Sequence, residues 1–248
     1  MDHVAIITDS TACIPPDVAR EYGIDVIPLN LIFEGRTYID GMDDDTAEFY
    51  RLLRSSRSLP TTAAPSPGEY LRAIHARANR AKAVLCVTVS AQFSAMYDSA
   101  VAAARLAREE FPNLDVRVLD SRNAAMAQGF VVLEAARAAR EGADIDTCIA
   151  RAEALMPRVA LLVVLDTLVY LARGGRALDR LAELLAERAA GAGPLHVCVH
   201  HANAPADATF LAERAKALRP AELYVSEFTQ VMGVHTGPGL VGYAFYTD

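Results

Sequence analysis

No stretch of this sequence concentrates lysine and arginine. Its 24 Lys+Arg face 31 Asp+Glu, for a formal net charge of −7. Such a chain carries no patch to neutralise a phosphate backbone, so DNA and RNA are not expected partners. No apolar run reaches the length of a membrane span; residues 159–165 are apolar throughout but far too few. Met1-Asp2-His3-Val4 opens no positively charged, apolar leader, so no signal peptide and no stable membrane insertion are expected. The four cysteines, Cys13, Cys86, Cys148 and Cys198, form no C-x-x-C and no disulfide spacing. Three stand in or beside apolar runs, where a thiol behaves as a small hydrophobe. A reduced, cytoplasmic setting is the expectation. No serine sits in a G-x-S-x-G elbow, and no nucleotide loop or carboxylate pair marks a hydrolytic or phosphotransfer centre.

What remains is an ordinary soluble composition, 52% hydrophobic and 22% charged over 248 residues, enough to bury one large core or two modest ones. Apolar β-branched runs alternate with helical patterns. Strands are expected over 4–8, 26–33, 83–89, 116–119, 159–165, 195–200, 223–228 and 240–246. Helices are expected over 16–22, from Thr46, over 68–81, 93–111, 124–140, 145–155, 167–171, 178–190 and 206–218. That alternation predicts an α/β protein whose sheets are largely parallel and flanked by helices. A long helical stretch ends near residue 155 and a new strand pattern follows. The expected division is therefore 1–157 and 158–248.

Four hydroxyl- or glycine-rich segments follow or border the apolar runs: Thr8-Asp9-Ser10-Thr11, Pro60-Thr61-Thr62, Ser90-Ala91-Gln92-Phe93-Ser94 and His235-Thr236-Gly237-Pro238-Gly239. Loops of this kind gather at the carboxyl edge of an α/β sheet, where ligands bind. Hydroxyls, free N–H groups and one imidazole suit a carboxylate or phosphate. Helix capping is the better explanation of the first segment, with Asp9 or Ser10 as the cap, and explains the next two as well as ligand binding does, with Ser66 and Ser94 as the caps. Two adjacent threonines in an extended loop point opposite ways, so one of Thr61 and Thr62 can face a ligand. His235 is placed in a turn before the last strand, where Gly237 permits close backbone approach. Arg173-Gly174-Gly175-Arg176 is either a solvated helix end or a patch for an acidic partner. His196, His200 and His201 look metal-like, but adjacent strand residues face opposite sides and no zinc set is completed.

Taken in order, the segments resemble the DegV family of fatty-acid-binding proteins, which includes the B subunit of bacterial fatty acid kinase. The matching pieces are Thr8-Asp9-Ser10-Thr11-Ala12-Cys13, Val26-Ile27-Pro28-Leu29, Pro60-Thr61-Thr62, Pro65-Ser66-Pro67, Ser94 with Tyr97 and Ser99-Ala100, Asp120-Ser121, Asp166-Thr167-Leu168, Tyr170-Leu171, Gly174-Gly175-Arg176 and the segment from His235 to Gly239. The resemblance implies two α/β domains with a long-chain fatty acid at their interface and no cofactor. Thr62 and Ser94 would hold the carboxylate, His235 would lie beside it, and Ser10 and Gly237 would complete the ligand-binding set. Arg173 and Arg176 would face a partner. That partner would be a fatty acid kinase catalytic subunit, and this chain itself would be a carrier and no enzyme.

Three departures bear on that picture. Thr62-Ala63-Ala64 stands where the family usually reads Thr-Ser-Gln, and Ser94-Ala95-Met96-Tyr97 where it reads Ser-Gly-Thr-Tyr. The stretch that normally follows Gly-Gly-Arg, about thirty residues of tunnel wall, is missing; Arg176 runs directly into Ala177-Leu178-Asp179. Two other readings stay open on the residues alone. One is an enzyme using His235 on a small anionic substrate, with a distant carboxylate such as Asp9 as orienter. The other is a homologue that keeps the fold and has lost its ligand.

Overall fold

The computed structural model of the protein describes residues 2–41, 46–56, 58–165, 175–191 and 193–248. Strand β1 (Asp2–Asp9) is the centre of the first sheet. It pairs in parallel with β2 (Asp25–Ile27) on one side and with β6 (Ala81–Thr88) on the other, and β7 (Asp115–Asp120) follows β6 in the order β2-β1-β6-β7. Both faces of this sheet are covered, which is why its central strands read as continuous apolar runs. On one face lie helices α3 (Pro67–Ala78) and α4 (Met96–Glu110), packing Tyr70, Ile74, Ala100, Ala103 and Ala107 onto Ile7, Val84 and Cys86. On the other lie α5 (Ala125–Arg140) and α6 (Ile145–Leu155).

Helix α5 explains its own composition. Phe130, Val131 and Ala135 pack in one cluster with Ile6 and Leu85 of the first sheet and with Cys198, Ala244 and Tyr246 of a second sheet. Twelve of its residues are buried, so it is core on nearly every side and its small alanines let both sheets approach. The second sheet has the order β10-β9-β11-β8, from β8 (Ala160–Val164), β9 (Leu195–His201), β10 (Glu222–Glu227) and β11 (Val241–Thr247). Its outer face is closed by α7 (Gly175–Ala189) and α8 (Pro205–Lys216), with Leu181, Leu185, Leu211 and Tyr243 fully or nearly fully buried.

The α/β class expected from the alternation is the observed one. The second sheet, however, is mixed: β9 and β10 are parallel, and β11 runs antiparallel to both β9 and β8. The hydrophobic runs alone do not encode strand direction. The single strand expected over 26–33 is two strands. Pro28 has no N–H to give to a ladder, and there the chain leaves the parallel sheet. It enters a small antiparallel sheet, β4-β3-β5, made of β3 (Asn30–Phe33), β4 (Arg36–Ile39) and β5 (Thr61–Ala63). Residues 61–63, expected as loop, are thus a short strand. The helix expected from residue 93 starts at Met96, so Ser94 stays in the loop. The expected turn at residue 235 is also corrected. His235 and Thr236 are the last two residues of helix α9 (Gln230–Thr236). The helix expected over 167–171 lies outside the described residues, as do Asp166, Gly174 and Arg173. All four cysteines are buried and free, and no described helix is long and apolar enough to cross a membrane.

Candidate functional site

A short strand, the loop after β6 and one short helix meet near the carboxyl end of the first sheet. Thr62 is the middle residue of β5 and pairs with Leu31. Strand alternation turns Thr61 and Ala63 outward and leaves Thr62 half-buried. Ser94 follows β6 in a loop fastened at several points. The Ser90 N–H donates to the Asn123 carbonyl (2.9 Å), the Gln92 N–H to Ser90 Oγ (3.3 Å), and the Ala91 N–H to Asp120 Oδ1 (3.1 Å). Asp120 at the end of β7 and Asn123 just beyond it therefore hold the Ser94 loop in place. His235 comes from far away in sequence. Helix α9 follows β10, yet it packs on β3 and on α2 (Thr46–Ser55).

These pieces enclose a cavity of about 740 Å³, within the range of small-molecule sites. Thr62, Ser94 and His235 all line it, with Thr11, Gln92 and Thr236 as further polar groups. The rest of the wall is apolar, chiefly Leu29, Val89, Phe93, Met96, Val231 and Met232. No side-chain hydrogen bond engages Thr62, Ser94 or His235 among the described residues. Their polar atoms are thus available to a ligand. His235 is exposed, and Phe93 is 72% exposed at the rim.

Two expected ligand residues stand elsewhere. Ser10 is buried, and its hydroxyl donates to Asp40 Oδ2 (2.5 Å) and accepts from the Leu29 N–H (3.2 Å). It faces a separate cavity beside α1 (Pro16–Glu21). Gly237 ends α9 at φ +80°, donating its N–H to the Gly233 carbonyl (2.8 Å), and does not line the cavity. Its conformational freedom serves to stop the helix. Arg176 is the second residue of α7, and Arg173 lies outside the described residues.

Asp9 answers to the capping reading of its segment. It is fully buried and caps the short 3₁₀ turn Ser10–Ala12. Its carboxylate accepts from the N–H groups of Thr11 (3.1 Å) and Val89 (3.0 Å), from Gln128 Nε2 (3.2 Å) and from the Thr11 hydroxyl. Burial pushes its pKa above the usual carboxylate range, against the pull of those hydrogen bonds. With its acceptors engaged this way, Asp9 does not orient His235. No hydrogen bond joins Ser94, His235 and Asp9 to one another.

The other histidines also have structural duties. His196 sits between Glu222 (2.8 Å) and Asp248 (3.1 Å), stacked on Tyr246. His200 is buried against Met126 and Ser226. No three His, Cys, Asp or Glu side chains are placed to hold a metal among the described residues. The lining residues missed by sequence reasoning, Leu29, Met96, Val231 and Met232, are apolar and look like any core residue in the sequence. Their signal is nearness to a hydroxyl or imidazole already singled out.

The profile described as "Uncharacterised protein, DegV family" matches residues 3–177 and 176–248. The match comes in two pieces that meet where the sequence reading puts the missing stretch. The DegV domain-containing protein SCO2569 of Streptomyces coelicolor is 34% identical over 279 aligned positions, covering 97% of each chain. That alignment is longer than the 248 residues present here, so the relative has positions with no counterpart. Among solved structures, DegV of Bacillus subtilis, described as a fatty acid binding protein, superposes with TM-score 0.88 at 28% identity over 100% of both chains. The fold also matches a DegV family protein from Thermus thermophilus, described by its fatty acid binding, at TM-score 0.88 and 24% identity over 99% of this chain and 100% of that one. On its sequence and on its fold, this chain belongs to the DegV family.

Proposed function

We propose that this protein binds a fatty acid in the cavity beneath α9. In this reading the carboxylate rests on the Thr62 and Ser94 hydroxyls beside His235, and the acyl chain lies against Leu29, Val89, Met96, Val231 and Met232. One observation carries the reading: three polar residues from positions 62, 94 and 235 line one largely apolar cavity with their side chains unspent. The fatty acid binding of the Bacillus subtilis relative supports it. The energetics agree. Each buried methylene contributes about 0.8 kcal/mol, so the tail anchors the ligand while the hydroxyls fix its head. Dividing the chain at 157/158 puts Thr62 and Ser94 on one unit and His235 on the other, with the ligand between them.

We further infer that the chain is a cytoplasmic carrier that presents the exposed head group to a separate fatty acid kinase. His235, which no carboxylate among the described residues orients, suits a binding role better than a general base, which normally leans on such a partner. The enzyme reading gains no support from the bonds that Asp9 makes. Native mass spectrometry of freshly purified protein, with the ligand then extracted and identified, tests the proposal. A co-purified fatty acid is the expected result. Protein that arrives empty and takes up no fatty acid on titration would leave the ligand-free homologue as the better description.

A further inference from the structure

Helix α9 has an unusual attachment. Its own N-cap residue, Thr229, makes no side-chain capping bond. The vacant function is filled from the far end of the chain. Asp40 Oδ1 accepts the Val231 N–H at 2.9 Å, across 191 positions of sequence. The next residue assists, with the Gly41 N–H donating to Gln230 Oε1 at 3.3 Å. The second carboxylate oxygen of Asp40 is held by the Ser10 hydroxyl at 2.5 Å, and Ser10 is in turn fixed by the Leu29 N–H. Asp40 is 1% exposed and Ser10 is 5% exposed.

This chain of bonds ends at the cavity wall on both sides. Leu29 and Val231 line the cavity directly. His235 follows Val231 by four residues, one helical turn, so both stand on the same side of α9. We infer that Asp40 is the positioning residue of the head-group site: by capping α9 in trans, it sets His235 over Thr62 and Ser94. The inference rests on the fatty-acid reading for what the site holds, but not for how α9 is held. It also accounts for Ser10, a hydroxyl that does not reach the ligand cavity yet braces the residue that shapes it.

The test compares Asp40→Ala with Asp40→Asn in the full-length protein. Asparagine keeps an oxygen for the Val231 N–H, and its amide can donate to Ser10 in place of the present bond. Two readouts are needed. The first is the NMR signals of the His235 ring without ligand, assigned with His235→Gln. The second is affinity for a fluorescent fatty acid. Asp40→Ala is expected to shift the His235 ring signals and to weaken binding tenfold or more, with Asp40→Asn recovering most of both. His235 signals unchanged in folded Asp40→Ala would overturn the inference, as would an Asp40→Asn no better than alanine. If Asp40→Ala does not fold, Ser10→Ala provides the same comparison with the carboxylate kept, and an unmoved His235 ring there would overturn it equally. Wild-type protein that binds no fatty acid would sink the ligand reading alone, because the ring signals are recorded without ligand.

Discussion

Thr62 and Ser94 sit on segments that are themselves held, one in strand β5 paired to β3 and one in a loop pinned to Asp120. Neither hydroxyl is engaged within the described protein, so removing them costs the fold little. Each charge-assisted hydrogen bond to a carboxylate contributes roughly 1.5–3 kcal/mol. Thr62→Ala with Ser94→Ala is therefore expected to weaken fatty-acid binding well beyond tenfold, while the melting temperature of the empty protein stays nearly unchanged. A displacement assay giving wild-type affinity would remove both residues from the site. Gly233 makes the opposite case, a residue with no functional group on which placement depends. It lies in α9 against the fully buried Tyr50, and a Cβ there would come within 2.6 Å of the Tyr50 ring atoms Cε1 and Cζ. Tyr50 is also tied through its hydroxyl to the Phe228 carbonyl (3.2 Å) and has no free direction in which to move. Gly233→Ala is expected to cost about 1–3 kcal/mol of stability through overpacking. Chemical denaturation measures this directly, and an unchanged midpoint would contradict the seating of α9.

At the scale of one element, β9 carries two histidines with opposed behaviour. His196 and His200 are four residues apart and share a face of the strand. His200 is fully buried, and desolvation lowers its pKa to about 4 despite the Ser226 carbonyl. Its Nε2 accepts the Met126 N–H at 3.0 Å at the start of α5, and its Nδ1 bonds the Ser226 carbonyl at 3.2 Å. Only the neutral ring can do both. For His196, burial also disfavours the charge, but hydrogen bonds from its ring to Glu222 and Asp248 outweigh it and raise the pKa. The signs follow from linkage. His200 is depressed in the folded state. Its stabilisation is complete above the unfolded value near 6.5 and is lost as pH falls toward 4, about 3 kcal/mol at most. His196 is raised. Its stabilisation is complete below that unfolded value and is lost as pH rises through its folded pKa. NMR titration of the two rings checks both. His200 should stay neutral to about pH 4, and His196 should still hold its proton above its ordinary midpoint. Two ordinary midpoints would show that neither environment is as described.

Over the whole molecule, the shortened second half bears on ligand length. The outer core of the second sheet is filled by its own side chains, Leu181, Leu185, Val199, Leu211 and Tyr243. None of these lines the 740 Å³ cavity. On the fatty-acid reading, a site with less wall would show affinity in a series of saturated acids rising by about 0.8 kcal/mol per methylene and then levelling off. Affinity still rising at every added methylene among the longest acids would show that the missing stretch does not limit the site. The sequence by itself determined the α/β class, the apolar setting of three of the four cysteines and the hydroxyl segments, because hydrophobic period and turn chemistry are local properties. The same local logic turned one of Thr61 and Thr62 inward and offered Asp9 or Ser10 as a cap; the structure settles on Thr62 and Asp9. It misplaced His235 in a turn, since the helix 230–236 is too short to show a period and is held by Asp40 and Tyr50. The family resemblance, not the local pattern, put Ser10 among the ligand residues, and nothing local shows that Asp40 takes its hydroxyl. Strand direction in the second sheet, the break at Pro28 and the meeting of residues 62, 94 and 235 around one cavity were decided by tertiary packing. Each depends on contacts between groups tens to hundreds of residues apart, and no local pattern along the chain encodes which distant surfaces will bury one another.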